Sequence, residues 1–172
     1  MKLVICEKPS VGAAVAAALG VTGKKDGYIE NDKYIISWCI GHLVQLSEAA
    51  AYGEQYKKWS YDSLPILPQE WQYTVAADKG KQFKILKDLM HRADVSEVVN
   101  ACDAGREGEL IFRFVYHQAG CKKPFTRLWI SSMENEAIRS GFDNLKDGRE
   151  YDALYHSALC RAKADWLIGI NA

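Results

Sequence analysis

Two rhythms organise the chain: short continuous apolar runs, and stretches with apolar residues three and four positions apart. Residues 2–6, KLVIC, form the first apolar run. A run of this length with no polar interruption reads as a strand buried on both faces. It ends at Glu7, Lys8 and Pro9, and Pro9 suits the first turn of a helix whose alanine-rich body, VGAAVAAAL, stops at Gly20. Residues 27–41, GYIENDKYIISWCIG, alternate and carry Asn31 and Asp32 at their centre, which predicts a β-hairpin.

From Ala49 to Gln69 aromatic and charged residues mix with two prolines and no steady period, the mark of a long connector. WQYTVAA (71–77) then reads as a strand, and KGKQFKILKDLMHRA (79–93) places Phe83, Leu86, Leu89 and Met90 on one helical face. SEVVNAC (96–102) is a further buried strand, followed by a helix from about Glu107 to Ala119 with Leu110, Ile111, Phe114 and Val115 at helical spacing. TRLWI (126–130) gives a short strand, MENEAIRSGFDNL (133–145) a helix, and residues 149–172 a long helix. Strands alternating with helices predict an α/β domain, its largely parallel sheet flanked by helices on both faces. No internal repeat or low-complexity segment interrupts this order. The last helix keeps its apolar spacing through Leu154, Ala158, Trp166 and Ile170 and reaches Ala172 without a stop signal, which suggests that it continues into a larger protein.

Composition narrows the function classes. The chain has 172 residues, 48% hydrophobic and 26% charged, with 22 basic and 22 acidic side chains, as in an ordinary globular domain. A net charge of zero excludes a strongly basic nucleic-acid-binding domain, so any such site has to be local. The five cysteines are scattered, with no CxxC pair and no histidine at zinc spacing; they read as reduced, mostly buried thiols of a cytoplasmic protein without zinc. No apolar window is long enough for a signal peptide or a membrane span.

Chemistry concentrates where strands end. Ligands of open α/β sheets gather outside the carboxyl ends of the strands, and two such ends carry acids here: Glu7 after LVIC and Asp103 after VVNAC. Glu107 and Glu109 follow in the first turn of the next helix, where the macrodipole favours negative charge. Oxygen donors without histidine or cysteine suit Mg²⁺, with Mn²⁺ as the alternative, and such ions complete their shell with water and substrate phosphate. Lys8 can neutralise a phosphate oxygen, and Arg106 can grip one with both arms of its guanidinium. Taken singly, each residue has a plainer reading. Acids in a first helical turn commonly cap and solvate, Lys8 alone is a surface lysine, and Gly105 or Gly108 can serve only to tighten a turn. Their joint occurrence at strand ends is what points to a site.

Through CEKPS (6–10) and DAGREGELIF (103–112), the chain resembles the Toprim domain of type IA DNA topoisomerases, in the topoisomerase III-like branch. GHLVQL (41–46), LPILPQEW (64–71), RLWISSMENEAIRSGFDNL (127–145) and RAKADWLIGIN (161–171) extend the resemblance over nearly the whole chain. It implies ATP-independent breakage, passage and rejoining of single-stranded DNA through a 5′-phosphotyrosine. By that resemblance Glu7 would exchange a proton with the 3′-oxygen, and Lys8 would hold the scissile phosphate. Asp103 would ligate Mg²⁺ with Glu107 and Glu7 nearby, and Arg106 and Arg161 would contact DNA. It also implies a Toprim domain over residues 1–148 and, over 149–172, the first helix of a domain that grips single-stranded DNA.

Two departures qualify the match. The family's Asp-x-Asp-x-Glu motif has Gly105 in place of its middle acid, which predicts weaker metal binding and one ion rather than two. None of the nine tyrosines has the context of the family's nucleophile, which is expected in the remainder of a parent enzyme. Trp166 and Leu167 read as core, Asp165 as a partner for Arg161, His42 as structural, and Ser131 or Ser132 as a helix cap. A Toprim nuclease, a primase-like domain and a non-catalytic DNA-binding module are the competing readings.

Overall fold

The computed structural model describes residues 1–172. A strand with no polar position from Leu3 to Cys6 must be covered on both edges and both faces. β1 (Lys2–Cys6) pairs in parallel with β4 (Tyr34–Trp38) on one side and β7 (Glu97–Ala101) on the other. β7 in turn pairs in parallel with β8 (Phe125–Arg127). Shorter antiparallel strands close the edges, β2 (Gly23–Lys25) and β3 (Tyr28–Glu30) beyond β4, and β9 (Lys146–Asp147) beyond β8. The expected sheet is therefore parallel at its centre and antiparallel at its margins.

The hairpin forms where Asn31 and Asp32 predict it. The Asn31 side-chain oxygen accepts from the Lys33 and Tyr34 amides at 2.9 and 2.7 Å, fixing the turn between β3 and β4. The segment 71–77 behaves differently from a sheet member. Only Tyr73–Val75 is extended, forming β6, and it pairs with β5 (Val44–Leu46) in a separate two-stranded ribbon. Edge strands of two or three residues that are half or fully exposed offer no alternation for a pattern to reveal.

Successive side chains of β1 point to opposite faces, so Leu3 and Ile5 join one core and Val4 and Cys6 the other. α1 (Pro9–Leu19) and α4 (Asn135–Asp143) cover the smaller core of 12 buried residues. α2 (Gly80–Met90) and α3 (Arg106–Gln118) cover the larger one of 22, joined by α5 (Asp152–Asn171) through Tyr155 and Ala158. Pro9 opens α1 and Gly20 closes it in the left-handed conformation, as the residues predict. Ser132 does not cap α4: it accepts from the Glu134 amide, and Glu134 itself is the capping residue, with no side-chain bond.

The connector from 49 to 69 contains three 3₁₀ turns, Ala49–Tyr52, Glu54–Tyr56 and Tyr61–Ser63, and α5 clamps it to the body. Asn171 accepts from the Ile66 amide and donates to the Ile66 carbonyl, at 2.5 and 2.9 Å. Trp166 is half-buried rather than fully in the core. Its indole N–H donates to the Ser47 carbonyl at 2.9 Å, and its ring meets Tyr52 and Trp71 edge to face.

Candidate functional site

In-register parallel pairing sets Cys6 opposite Ala101, so the chain leaves β1 and β7 side by side. Glu7 and Asp103 consequently converge, although 96 positions separate them in sequence. Burial of the Glu7 carboxyl, then the charge and side chain of Asp103 against it, push its pKa above the ordinary glutamate value. Glu7 Oε1 is buried without a hydrogen-bond partner. A buried carboxylate oxygen facing a second acid, with no donor, is poised for a cation.

The turn after Asp103 is shaped by two glycines. Gly105, the residue before α3, has φ +155° and ψ 178°, a region open essentially to glycine alone, although a Cβ there would meet nothing within 4 Å. Gly108 lies against the turn: a Cβ would come 2.0 Å from the Asp103 carbonyl oxygen. The first turn of α3 thus presses onto the backbone of Asp103.

Glu107 and Glu109, two positions apart, face opposite environments. Glu107 is exposed and hydrogen-bonds His42 Nε2. His42 arrives because the segment after β4 passes the end of β1, with Cys39 N–H donating to the Cys6 carbonyl and Gly41 N–H to that of Glu7. Lys79 Nζ donates to the His42 carbonyl at 3.3 Å. Glu109 is completely buried, and desolvation raises its pKa against the pull of Arg127 and Arg113. Arg127 Nε lies 2.7 Å from Glu109 Oε1, an ion-pair contact whose angles fall short of a hydrogen bond. Arg113 Nε donates to Glu109 Oε2 at 3.2 Å and Asn100 Nδ2 to Oε1 at 3.0 Å.

A cleft of about 1010 Å³ runs between these strand ends and α5. Glu7, Asp103 and Arg106 line one wall, His42 flanks it, and Arg161 and Trp166 face them from α5. Lys8 is exposed beside the mouth as the residue preceding α1, outside the lining but near enough to draw the Glu7 pKa down. Arg161 and Asp165 approach to 4.0 Å, an exposed pair one helical turn apart. Of the predicted set, the structure brings together Glu7, Asp103, Arg106, Glu107 and Arg161 around one cleft. It turns Glu107 toward His42, and no group of three or more His, Cys, Asp or Glu side chains is arranged as a ligand cluster. Two carboxylates suit a single hard cation that keeps several waters and takes a phosphate.

The Toprim domain model matches residues 2–133. The chain belongs to the Toprim domain family. This Toprim chain is 48% identical over 170 residues to the DNA topoisomerase 3 of Bacillus licheniformis, 47% to that of Bacillus subtilis and 48% to that of Staphylococcus haemolyticus. The match takes in 99% of the chain but only 23–24% of those relatives, so the chain spans about a quarter of their length. Full-length topoisomerase I from Thermotoga maritima superimposes with a TM-score of 0.54 at 20% identity, over 84% of this chain and 21% of that one, a likeness of fold.

From the sequence His42 reads as structural, and neither Arg127 nor Arg113 stands out as a site residue. Their signal was present in part: Glu109 and Arg113 stand four apart on a helix that is otherwise apolar on that side. Nothing in the sequence pairs Arg127 with the Asp103 turn, because that contact crosses two parallel strands.

Proposed function

We propose that this chain is the Toprim portion of a topoisomerase III-like enzyme that breaks and rejoins single-stranded DNA without ATP. The contact between Glu7 and Asp103 on one wall of the cleft carries the reading, and the similarity to DNA topoisomerase 3 supports it. In this reading residues 1–148 are the Toprim domain and 149–172 the first helix of a DNA-gripping domain. The nucleophilic tyrosine lies in the remainder of the parent enzyme, and the setting is the cytoplasm. No helix here is long and apolar enough to cross a membrane.

Mg²⁺, or Mn²⁺ in its place, would be held by Asp103 and Glu7 and would supply charge to orient phosphate oxygens for resealing. Glu107, engaged with His42, stands as an outer partner. Glu7, with its raised pKa, holds or releases a proton at the 3′-oxygen. Lys8 offers a point charge to the scissile phosphate from the mouth of the cleft. Arg106 and Arg161, on opposite walls, hold the backbone phosphates on either side.

The test is relaxation of negatively supercoiled DNA by the parent enzyme with Mg²⁺ and no ATP. Glu7→Ala abolishes relaxation while leaving DNA binding in place; undiminished relaxation in that variant overturns the role of Glu7. Cleavage by the 172-residue chain alone, dependent on Asp103 and leaving no protein adduct, would instead identify a Toprim nuclease.

A further inference from the structure

Arg127 is fully buried at the end of β8, an unusual place for a guanidinium. Its Nη1 donates to the carbonyls of Cys102 at 2.5 Å, Leu128 at 3.1 Å and Asn100 at 3.2 Å, and its Nη2 to that of Asp103 at 2.7 Å. Three backbone carbonyls at the end of β7 and the start of the acidic turn, with that of Leu128 just past β8, are thus gathered on one planar cation. Lysine has no such fork. Glu109 is its buried counter-ion, and burial, opposed by Glu109, lowers the Arg127 pKa.

A second arginine reaches the same carboxylate from the other side. Arg113 donates to Glu109, to Asp152 at 2.8 Å in the first turn of α5, and to the Gly148 carbonyl at 2.9 Å. Arg127 faces the acidic turn and Arg113 faces α5, so the two share one anion but hold different walls of the cleft.

We propose that Arg127 is the positioning residue of the acidic turn: its guanidinium fixes the Asp103 backbone, and through it the direction of the Asp103 carboxylate toward Glu7. The inference rests on the reading of this cleft as a divalent-cation site. Groups that hold first ligands in place typically contribute a factor of about 10–100 in metal affinity.

The test compares wild type, Arg127→Lys and Arg113→Lys of this chain by Mn²⁺ calorimetry and by ¹⁵N relaxation of the Ala104 and Gly105 amides. Both substitutions keep a cation against Glu109 and remove bonds to buried carbonyls or carboxylates, so both lower stability. Only Arg127→Lys releases Asp103. It is expected to bind Mn²⁺ about 10- to 100-fold more weakly and to show increased fast motion at residues 104 and 105. Arg113→Lys keeps the wild-type affinity and the wild-type amides. Equal behaviour of the two variants overturns the assignment to Arg127. Absence of Mn²⁺ binding in wild type overturns the cation reading of the cleft instead, and the amides of 104 and 105 still decide for or against Arg127. Should Arg127→Lys fail to fold, the wild-type side chain decides. A guanidinium tied to Asp103 gives slowly rotating Nη signals that shift on Mg²⁺ addition, and a freely rotating one refutes the proposal.

Discussion

Burial of the Glu7 carboxyl and the neighbouring charge of Asp103 outweigh the relief from the Asp103 backbone and Lys8, and the fold carries that cost at Glu7. A glutamate whose pKa is raised on folding contributes its stability below about pH 4.3, the ordinary value, and loses it as the pH climbs through the raised value. Glu7→Gln is therefore expected to melt higher than wild type near pH 7, by about 2–4 °C for each kcal/mol of that cost relieved. The two curves converge toward pH 4, and saturating Mg²⁺ narrows the gap at neutral pH because only wild type keeps both carboxylates. Scanning calorimetry across that range checks the sign; a less stable Gln variant at neutral pH would show that Glu7 gains more from its surroundings than it loses. Gly105 raises a second residue-scale question, whether the missing family acid can simply be restored. Open space surrounds the position, but its φ of +155° does not suit a side chain. Gly105→Ala and Gly105→Asp should both lose about 1–3 kcal/mol in urea denaturation, from backbone strain common to both. A neutral Gly105→Asp with tighter Mn²⁺ binding would mean that the turn relaxes freely.

At the scale of elements, α5 packs on the larger core through Tyr155 and Ala158 in its first half and is tied to the connector at its far end. Trp166 and Asn171 bind Ser47 and Ile66, and Arg113 ties the first turn through Asp152. Trp166→Ala is expected to cost about 2–3 kcal/mol by urea denaturation, less than the 3–5 of a fully buried aromatic because the ring is only half-covered. Loss of protection in amide exchange should spread to residues 47–52 and 66–71. Confinement of the change to α5 would show that the connector stands by itself. These contacts also explain what was legible beforehand. Continuous apolar runs such as Leu3–Cys6 announce central parallel strands, and the residues after them announce a site, because chain direction alone brings parallel strand ends together. β2, β9 and the ribbon of β5 with β6 are too short to set a period. Glu109 was misleading for a physical reason: an acid in a first helical turn is normally welcomed by solvent and the helix dipole, and only tertiary packing shows that this one lies inside, between two arginines.

At the scale of the whole molecule, zero net charge and a DNA-facing reading are compatible only if the cations are few and placed. Lys8, Arg106 and Arg161 surround the cleft, Arg161 at 4.0 Å from Asp165, while several other basic groups are paired elsewhere, Arg92 with Glu30 and Asp94, Lys81 with Asp26 and Arg149 with Asp147. A single strand that releases counterions at three phosphates should give a plot of log affinity against log salt with a slope of about −2, from about −0.7 per contact. Arg161→Ala should flatten that slope by about 0.7 and weaken binding without regard to sequence. Fluorescence anisotropy with a labelled oligonucleotide between low and moderate salt measures both. A slope steeper than about −4 would require cations far from the cleft, and the strand would then follow another path. A slope unchanged in Arg161→Ala would leave α5 without a DNA contact, and the cleft would be a one-walled site built on the strand ends alone.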